Sequence, residues 1–163
     1  MTSEIARKFK TSLVAVKKVR QLESTDCGVA CLAMAASIPY CDARAVFVEV
    51  GISDRYKRRP FSSNFKDLGK ALKAAGVNSR MKRFHDWNCV GQAAILKVFV
   101  RKNNWHWVFA GRDSELGLFV HDPATDLPSF ESIPEDVMCI DFVAYRPSGC
   151  FIDIKPIESG NCL

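Results

Sequence analysis

The sequence lacks long hydrophobic runs and any recognisable export signal. No apolar stretch in its 163 residues approaches the roughly 18–20 residues that cross a bilayer. Residues 1–18 mix charged side chains with short apolar stretches and do not form the apolar core of a signal peptide. The sequence therefore predicts a protein that is made in the cytosol and has no membrane contact. Delivery into another cell would need a specialised secretion system.

The regular cysteine spacing of a disulfide framework is also missing. The seven cysteines are an odd number at irregular intervals, which argues against a full set of bridges. Cys27 and Cys31 are spaced as i, i+4 on a helix, but no second pair of ligands follows them at zinc spacing. We therefore expect neither a metal site nor a cofactor.

Signatures of nucleic-acid binding are absent as well. The net charge of +5 is mild, and the basic clusters have no zinc-finger spacing, RNA-binding signature or interleaved aromatics. Solvated surface is the simpler interpretation of these clusters, and an acidic partner such as an inhibitor or immunity protein is the alternative. The clusters consist of Arg7, Lys8, Lys10, Lys17, Lys18 and Arg20, of Arg55, Lys57, Arg58 and Arg59, and of Arg80, Lys82 and Arg83.

The composition is that of a globular domain, since 48% of the residues are apolar and 25% are charged. Apolar spacing and cap residues predict helices in the first half: a short one near residues 5–16, a buried one from Cys27, one over 42–50, and one from Ser62 or Ser63 to Gly76. The second half predicts strands at 78–84, 93–100, 106–111, 116–121 and 138–145. This order favours an α+β fold, with N-terminal helices packed against an antiparallel sheet.

We divide the chain into three parts on this basis. Residues 1–17 are a basic N-terminal segment, residues 18–146 are the folded domain, and residues 147–163 are a C-terminal tail.

Cys27 is the strongest candidate nucleophile. It follows two good cap residues, Thr25 and Asp26, at the start of the predicted buried helix. A thiolate there would be stabilised by the helix dipole and by unpaired amides, which lower the pKa of a thiol. The alternative is a small buried core residue, as most free cysteines are.

A cysteine nucleophile needs a base, and the sequence contains three histidines. His106 lies in a predicted strand just before the turn 111–117. If the first and last residues of that turn pair, His106 lies directly opposite Asp122, on the same face of the hairpin. Asp122 could then orient the imidazole of His106. His121 would point to the opposite face, and His85 lies in a predicted loop.

Acyl transfer also needs donors for the oxyanion. The backbone amide of Cys27 is one candidate, because the first amides of a helix are unpaired. The side-chain amide of Gln21, upstream of Cys27, could be the second.

These residues together resemble a known motif. The string QLESTDCGVACL, from Gln21 to Leu32, is similar to the active-site motif of the bacteriocin-processing peptidases. These are papain-like cysteine peptidases, usually the N-terminal domain of ABC exporters, that cut leader peptides after a double glycine. The strand before His106 and the sequence Asp122-Pro123-Ala124 resemble the same family. The resemblance extends over residues 18–145.

The resemblance implies a papain-like fold and a role for each matching residue. Cys27 would be the nucleophile, His106 the base and Asp122 the residue that orients the base. Gln21 would donate to the oxyanion. The substrate would be a protein or peptide with small residues, especially glycine, on the acyl side of the cut. The residues expected at the substrate cleft are Asp26, Gly28, Trp105 and Trp107.

The sequence also departs from an exporter. No membrane segments or nucleotide-binding domain follow the motif, so we expect a free-standing cysteine endopeptidase. It could be an interbacterial toxin that cuts a cytosolic target at a glycine pair, or it could process leader peptides in trans. A papain-like acyltransferase and a non-catalytic substrate-binding module are further alternatives.

Overall fold

The computed structural model describes residues 14–53, 59–101, 104–133, 135 and 137–155. Most of the helix predicted near residues 5–16 lies outside these ranges, and so do Arg55, Lys57 and Arg58. Among the described residues, no single helix is long and apolar enough to cross a membrane, and one pair of helices reaches that length only with a bend of 111°.

Three helices form the first half of the described chain: α1 (Cys27–Ala36), α2 (Tyr40–Glu49) and α3 (Phe65–Ala74). Helix α1 consists of small and apolar residues on all sides, and it is accordingly the most buried of the three. Helix α3 is amphipathic and begins with a capping box between Asn64 and Asp67. The cap is therefore Asn64, not the predicted Ser62 or Ser63, whose helix starts one turn position too early.

Six antiparallel strands form a single sheet in the order β1-β6-β2-β3-β4-β5. The strands are β1 (Ser79–Arg83), β2 (Ala93–Arg101), β3 (Asn104–Asp113), β4 (Gly117–His121), β5 (Pro128–Phe130) and β6 (Arg146–Ile154). Helices followed by an antiparallel sheet confirm the predicted α+β fold.

The end of the chain departs from the prediction. The predicted strand at 138–145 contains instead a short 3-10 helix, Phe142–Ala144, which the Asp141 side chain caps by accepting from Val143 N–H. Strand β6 follows it and pairs with both β1 and β2. The tail boundary set at residue 147 therefore cuts through an inner strand of the sheet.

The core has a layer on each face of the sheet. Alternate side chains of the inner strands, such as Ile95 and Phe109, join the helices in the larger layer. The neighbouring residues, such as Leu96 and Val108, face the opposite side, where Tyr145 also packs. Helix α1 lies against β3 in the larger layer. This packing brings the first residue of α1 next to the first half of β3.

Candidate active site

The Cys27 thiol lies where α1 meets the sheet. Cys27 is the first residue of α1 and is 6% exposed. The backbone N–H of Trp107, in β3, donates to its Sγ at 3.4 Å. The residue before Trp107 is His106, so the packing of α1 on β3 brings a nucleophile and a candidate base to one place.

Burial dominates the acidity of this thiol. It raises the pKa of Cys27 to about 11, although the backbone amides of Trp107 and Gly28 act in the opposite direction. The nearby carboxylates of Asp26 and Asp122 raise the pKa further. The predicted lowering of this pKa is therefore wrong for the free protein, because desolvation outweighs the helix amides.

The predicted pairing of His106 with Asp122 is present, although the predicted register is not. Gly117 pairs with Asp113 rather than with Gly111, two residues away. A shift by an even number keeps each side chain on its face of the sheet. His106 Nε2 accordingly lies 3.3 Å from Asp122 Oδ1. That contact leaves Nδ1 as the ring nitrogen available to the thiol.

Asp122 is held on both of its carboxylate oxygens. The Ala124 N–H donates to Oδ1 at 2.9 Å, and the Tyr145 hydroxyl donates to Oδ2 at 2.9 Å. Burial raises the pKa of Asp122, but the contact with His106 and these two hydrogen bonds outweigh it and leave the pKa below its ordinary value. Asp122 is therefore ionised and able to stabilise a charged imidazole.

Tyr145 is a site residue that the sequence reasoning missed. It lies far from Asp122 in sequence, at the end of a stretch predicted as a strand. Nothing in the sequence pattern connects the two residues, because their contact depends on the way β6 returns into the sheet.

Gln21 is anchored beside the cleft by its backbone and its side chain. Its backbone N–H donates to the Pro123 carbonyl at 3.1 Å, next to Asp122. Its side-chain Nε2 donates to the Glu23 carbonyl at 2.8 Å. An amide nitrogen carries two hydrogens, so the second remains available to a substrate oxygen.

Asp26 and Gly28 do not line the cleft, contrary to prediction. Asp26 is fully buried, and its carboxylate accepts from the Leu22 and Glu23 amides at 3.2 and 3.1 Å and from the Tyr40 hydroxyl. It thereby ties the segment after Gln21 to α1. Gly28 is required by close packing, since a Cβ there would lie 2.5 Å from Ser63 Oγ. Both residues shape the site from behind.

A cleft of about 500 Å³ opens over the thiol and the imidazole. Trp105 and Trp107 both border it, as predicted. The Trp107 indole is buried and donates to the Ser63 carbonyl at 3.1 Å, while the Trp105 ring lies 4.2 Å from Lys97 Nζ. The lining residues are Gln21, Ser24, Thr25, Cys27, Arg59, Ser62, Ser63, Asn104, Trp105, His106, Trp107 and Ala124.

The other two histidines lie away from this cleft. His121 is completely buried, and its Nε2 lies 2.8 Å from the Val16 carbonyl, to which it donates. Burial lowers the pKa of His121 to about 4, so the ring is neutral. His85 is exposed in a loop. Among the described residues, no group of three or more His, Cys, Asp or Glu side chains could hold a metal ion.

No family model and no curated protein matches this chain. Solved structures of similar fold are the peptidase domain of Streptococcus ComA, a bifunctional ABC transporter (20% identity, 86% of this chain and 98% of that chain, TM-score 0.60), and a double-glycine motif protease from an AMS/PCAT transporter in complex with the leader peptide (20%, 86% and 91%, 0.56). A third is the peptidase domain of Streptococcus mutans ComA (19%, 85% and 98%, 0.52). The chain therefore has the papain-like fold of the peptidase domains of these transporters.

Proposed function

We propose that this protein is a cysteine endopeptidase. One observation carries the proposal: Cys27 and His106 line the same cleft, and the imidazole of His106 is backed by the ionised carboxylate of Asp122 at 3.3 Å. A nucleophile, a base and a group that orients the base are the parts that thiol acyl transfer needs. The shared fold with peptidase domains supports the same conclusion.

The reaction begins with a neutral thiol and a neutral imidazole, because the pKa of Cys27 is raised to about 11 in the free protein. His106 Nδ1 takes the thiol proton as Sγ attacks the carbonyl carbon of the scissile peptide bond. A carbon–sulfur bond forms, and the carbonyl electrons move to oxygen. The resulting imidazolium is stabilised by Asp122.

The oxyanion then lies near two donors, the backbone N–H of Cys27 and the side-chain amide of Gln21. When the intermediate collapses, the carbon–nitrogen bond breaks and the leaving amine takes the proton from His106. A water molecule, deprotonated by His106, next attacks the thioester. The acid product leaves, and the thiol regains its proton.

We propose a protein or peptide substrate with small residues, such as a glycine pair, on the acyl side of the cut. Two indole side chains, those of Trp105 and Trp107, border the cleft and restrict its width. One of the structures with this fold is in complex with a leader peptide. A substrate without side chains at the cut passes between the indoles most easily.

The test compares proteins and synthetic peptides cut by the wild type and by Cys27→Ala, identified by mass spectrometry. We expect cuts after small residues that disappear completely in Cys27→Ala. Cys41→Ala is the matched control, since Cys41 is exposed on α2 and is not part of the cleft. Proteolysis that persists in Cys27→Ala would exclude the assignment.

A further inference from the structure

A buried phenol lies behind the candidate catalytic carboxylate. Tyr145 is 4% exposed, between the 3-10 helix Phe142–Ala144 and β6. Its hydroxyl donates to Asp122 Oδ2 at 2.9 Å. The other oxygen, Oδ1, receives the Ala124 N–H at 2.9 Å and lies 3.3 Å from His106 Nε2. The two oxygens of one carboxylate thus have separate partners.

Building on the peptidase function proposed above, we propose that Tyr145 is a positioning residue that acts on His106 through Asp122. By fixing Oδ2, the phenol sets the rotation of the carboxylate so that Oδ1 faces His106 Nε2. Without the phenol, Oδ2 would be buried without a side-chain donor, and the carboxylate could rotate away from the imidazole. Tyr145 itself does not line the cleft and touches no substrate.

The charges around Asp122 are consistent with this role. The titratable groups that act on it or on which it acts are His106, Tyr145, Lys18 and the thiols of Cys27 and Cys31. Burial, followed by the negative charge of Asp122, raises the pKa of Tyr145 above its ordinary value. The phenol therefore stays protonated and remains a donor over the whole working pH range.

The first experiment is Tyr145→Phe, which keeps the packed ring and removes only the hydroxyl. We expect kcat to fall about tenfold, the size of one hydrogen bond to a charged group, with KM unchanged because no substrate contact is lost. The acid limb of the kcat/KM profile should move to higher pH, since Asp122 loses a donor to its ionised form.

Tyr40→Phe is the matched control. Tyr40 also donates a hydroxyl to a buried carboxylate, that of Asp26, which faces away from the cleft. This variant should lower Tm, while the acid limb of the pH profile stays in place. If both variants move the acid limb equally, the effect is a general loosening and the proposal is overturned.

A double-mutant cycle tests whether Tyr145 acts through Asp122. In the Asp122→Asn background, Tyr145→Phe should cause little further loss of kcat, because the ionised partner has already been removed. A full tenfold loss in that background would mean that Tyr145 acts by another route.

The titration of the Asp122 carboxyl carbon, followed by NMR on the substrate-free protein, separates this proposal from the proposed function. We expect the titration midpoint to move upward in Tyr145→Phe. An unchanged midpoint would overturn the positioning role whatever the activity. A wild type that cuts no peptide, together with a shifted midpoint, would instead overturn the peptidase assignment alone.

Discussion

At the scale of single residues, Gln21 separates catalysis from folding. If its side-chain amide donates to the oxyanion, Gln21→Ala should lower kcat about 100- to 1000-fold and leave KM nearly unchanged. If the residue serves only to tie its segment to the Glu23 and Pro123 carbonyls, the variant loses Tm and keeps its kcat. Both quantities should be measured on one preparation, and a normal kcat with a lowered Tm would remove Gln21 from the mechanism.

The thiol of Cys27 offers a second prediction at this scale. Because burial raises its pKa to about 11, little thiolate is present at pH 7 in the free protein. Iodoacetamide should therefore label the exposed Cys41 and Cys150 first, and labelling of Cys27 should rise steadily as the pH approaches 11. Peptide mapping across pH gives the order. Early labelling of Cys27 at pH 7 would show instead a thiolate paired with a protonated His106.

At the scale of elements, the β3–β4 hairpin shows what the sequence could and could not predict. The prediction that His106 and Asp122 share a face depends only on the two-residue period of a strand, so it survives a wrong register. The exact register depends on the turn, where Asp113 Oδ1 accepts from the Glu115 and Leu116 amides. Those side-chain bonds extend the ladder to Asp113, which a turn assumed to start at Gly111 leaves out.

Strand β6 was not predictable in the same way. Its first half contains Pro147, Ser148 and Gly149, which interrupt the alternation that marks a strand, and the apolar pattern begins only at Phe151. Its pairing partners are also distant in sequence, so local periodicity cannot place it between β1 and β2. The contact of Tyr145 with Asp122 depends on the same return of the chain and was missed with it.

The segment before Gln21 is attached to β4 through His121, and this contact predicts a pH dependence of stability. The pKa of His121 is lowered to about 4 by burial, whereas an unfolded histidine titrates near 6.5. Between these values the unfolded chain binds more protons, so the free energy of unfolding should decrease as the pH falls from 6.5 to about 4, by about 3 kcal/mol in total.

Chemical denaturation at several pH values would measure this loss of stability. In His121→Gln, which keeps a side-chain donor but cannot titrate, the decrease in this pH window should be much smaller. His85→Gln is the control, because His85 is exposed and its replacement should leave the decrease unchanged. An equal decrease in wild type and His121→Gln would assign the pH dependence to other groups.

At the scale of the whole molecule, β6 joins parts of the sheet that no other described strand connects. It lies between β1 and β2 and pairs with both, and its Phe151 and Ile152 are buried, one in each core layer. A chain that ends at residue 145 should therefore fail to fold cooperatively and should lack activity. A chain that ends at residue 155 keeps every described contact of β6 and should show a cooperative thermal transition by circular dichroism. Equal Tm values for the two chains would contradict this role of β6.

The place of β6 in the chain also bears on when the protein becomes active during its synthesis. The thiol, the imidazole and the carboxylate, at Cys27, His106 and Asp122, are all made before the strand that completes the sheet. A ribosome-bound chain that has not yet reached residue 154 thus carries every reactive group without the framework that aligns them. Translation order alone would delay proteolysis until the end of the domain has emerged, which protects nascent proteins nearby and the growing chain itself.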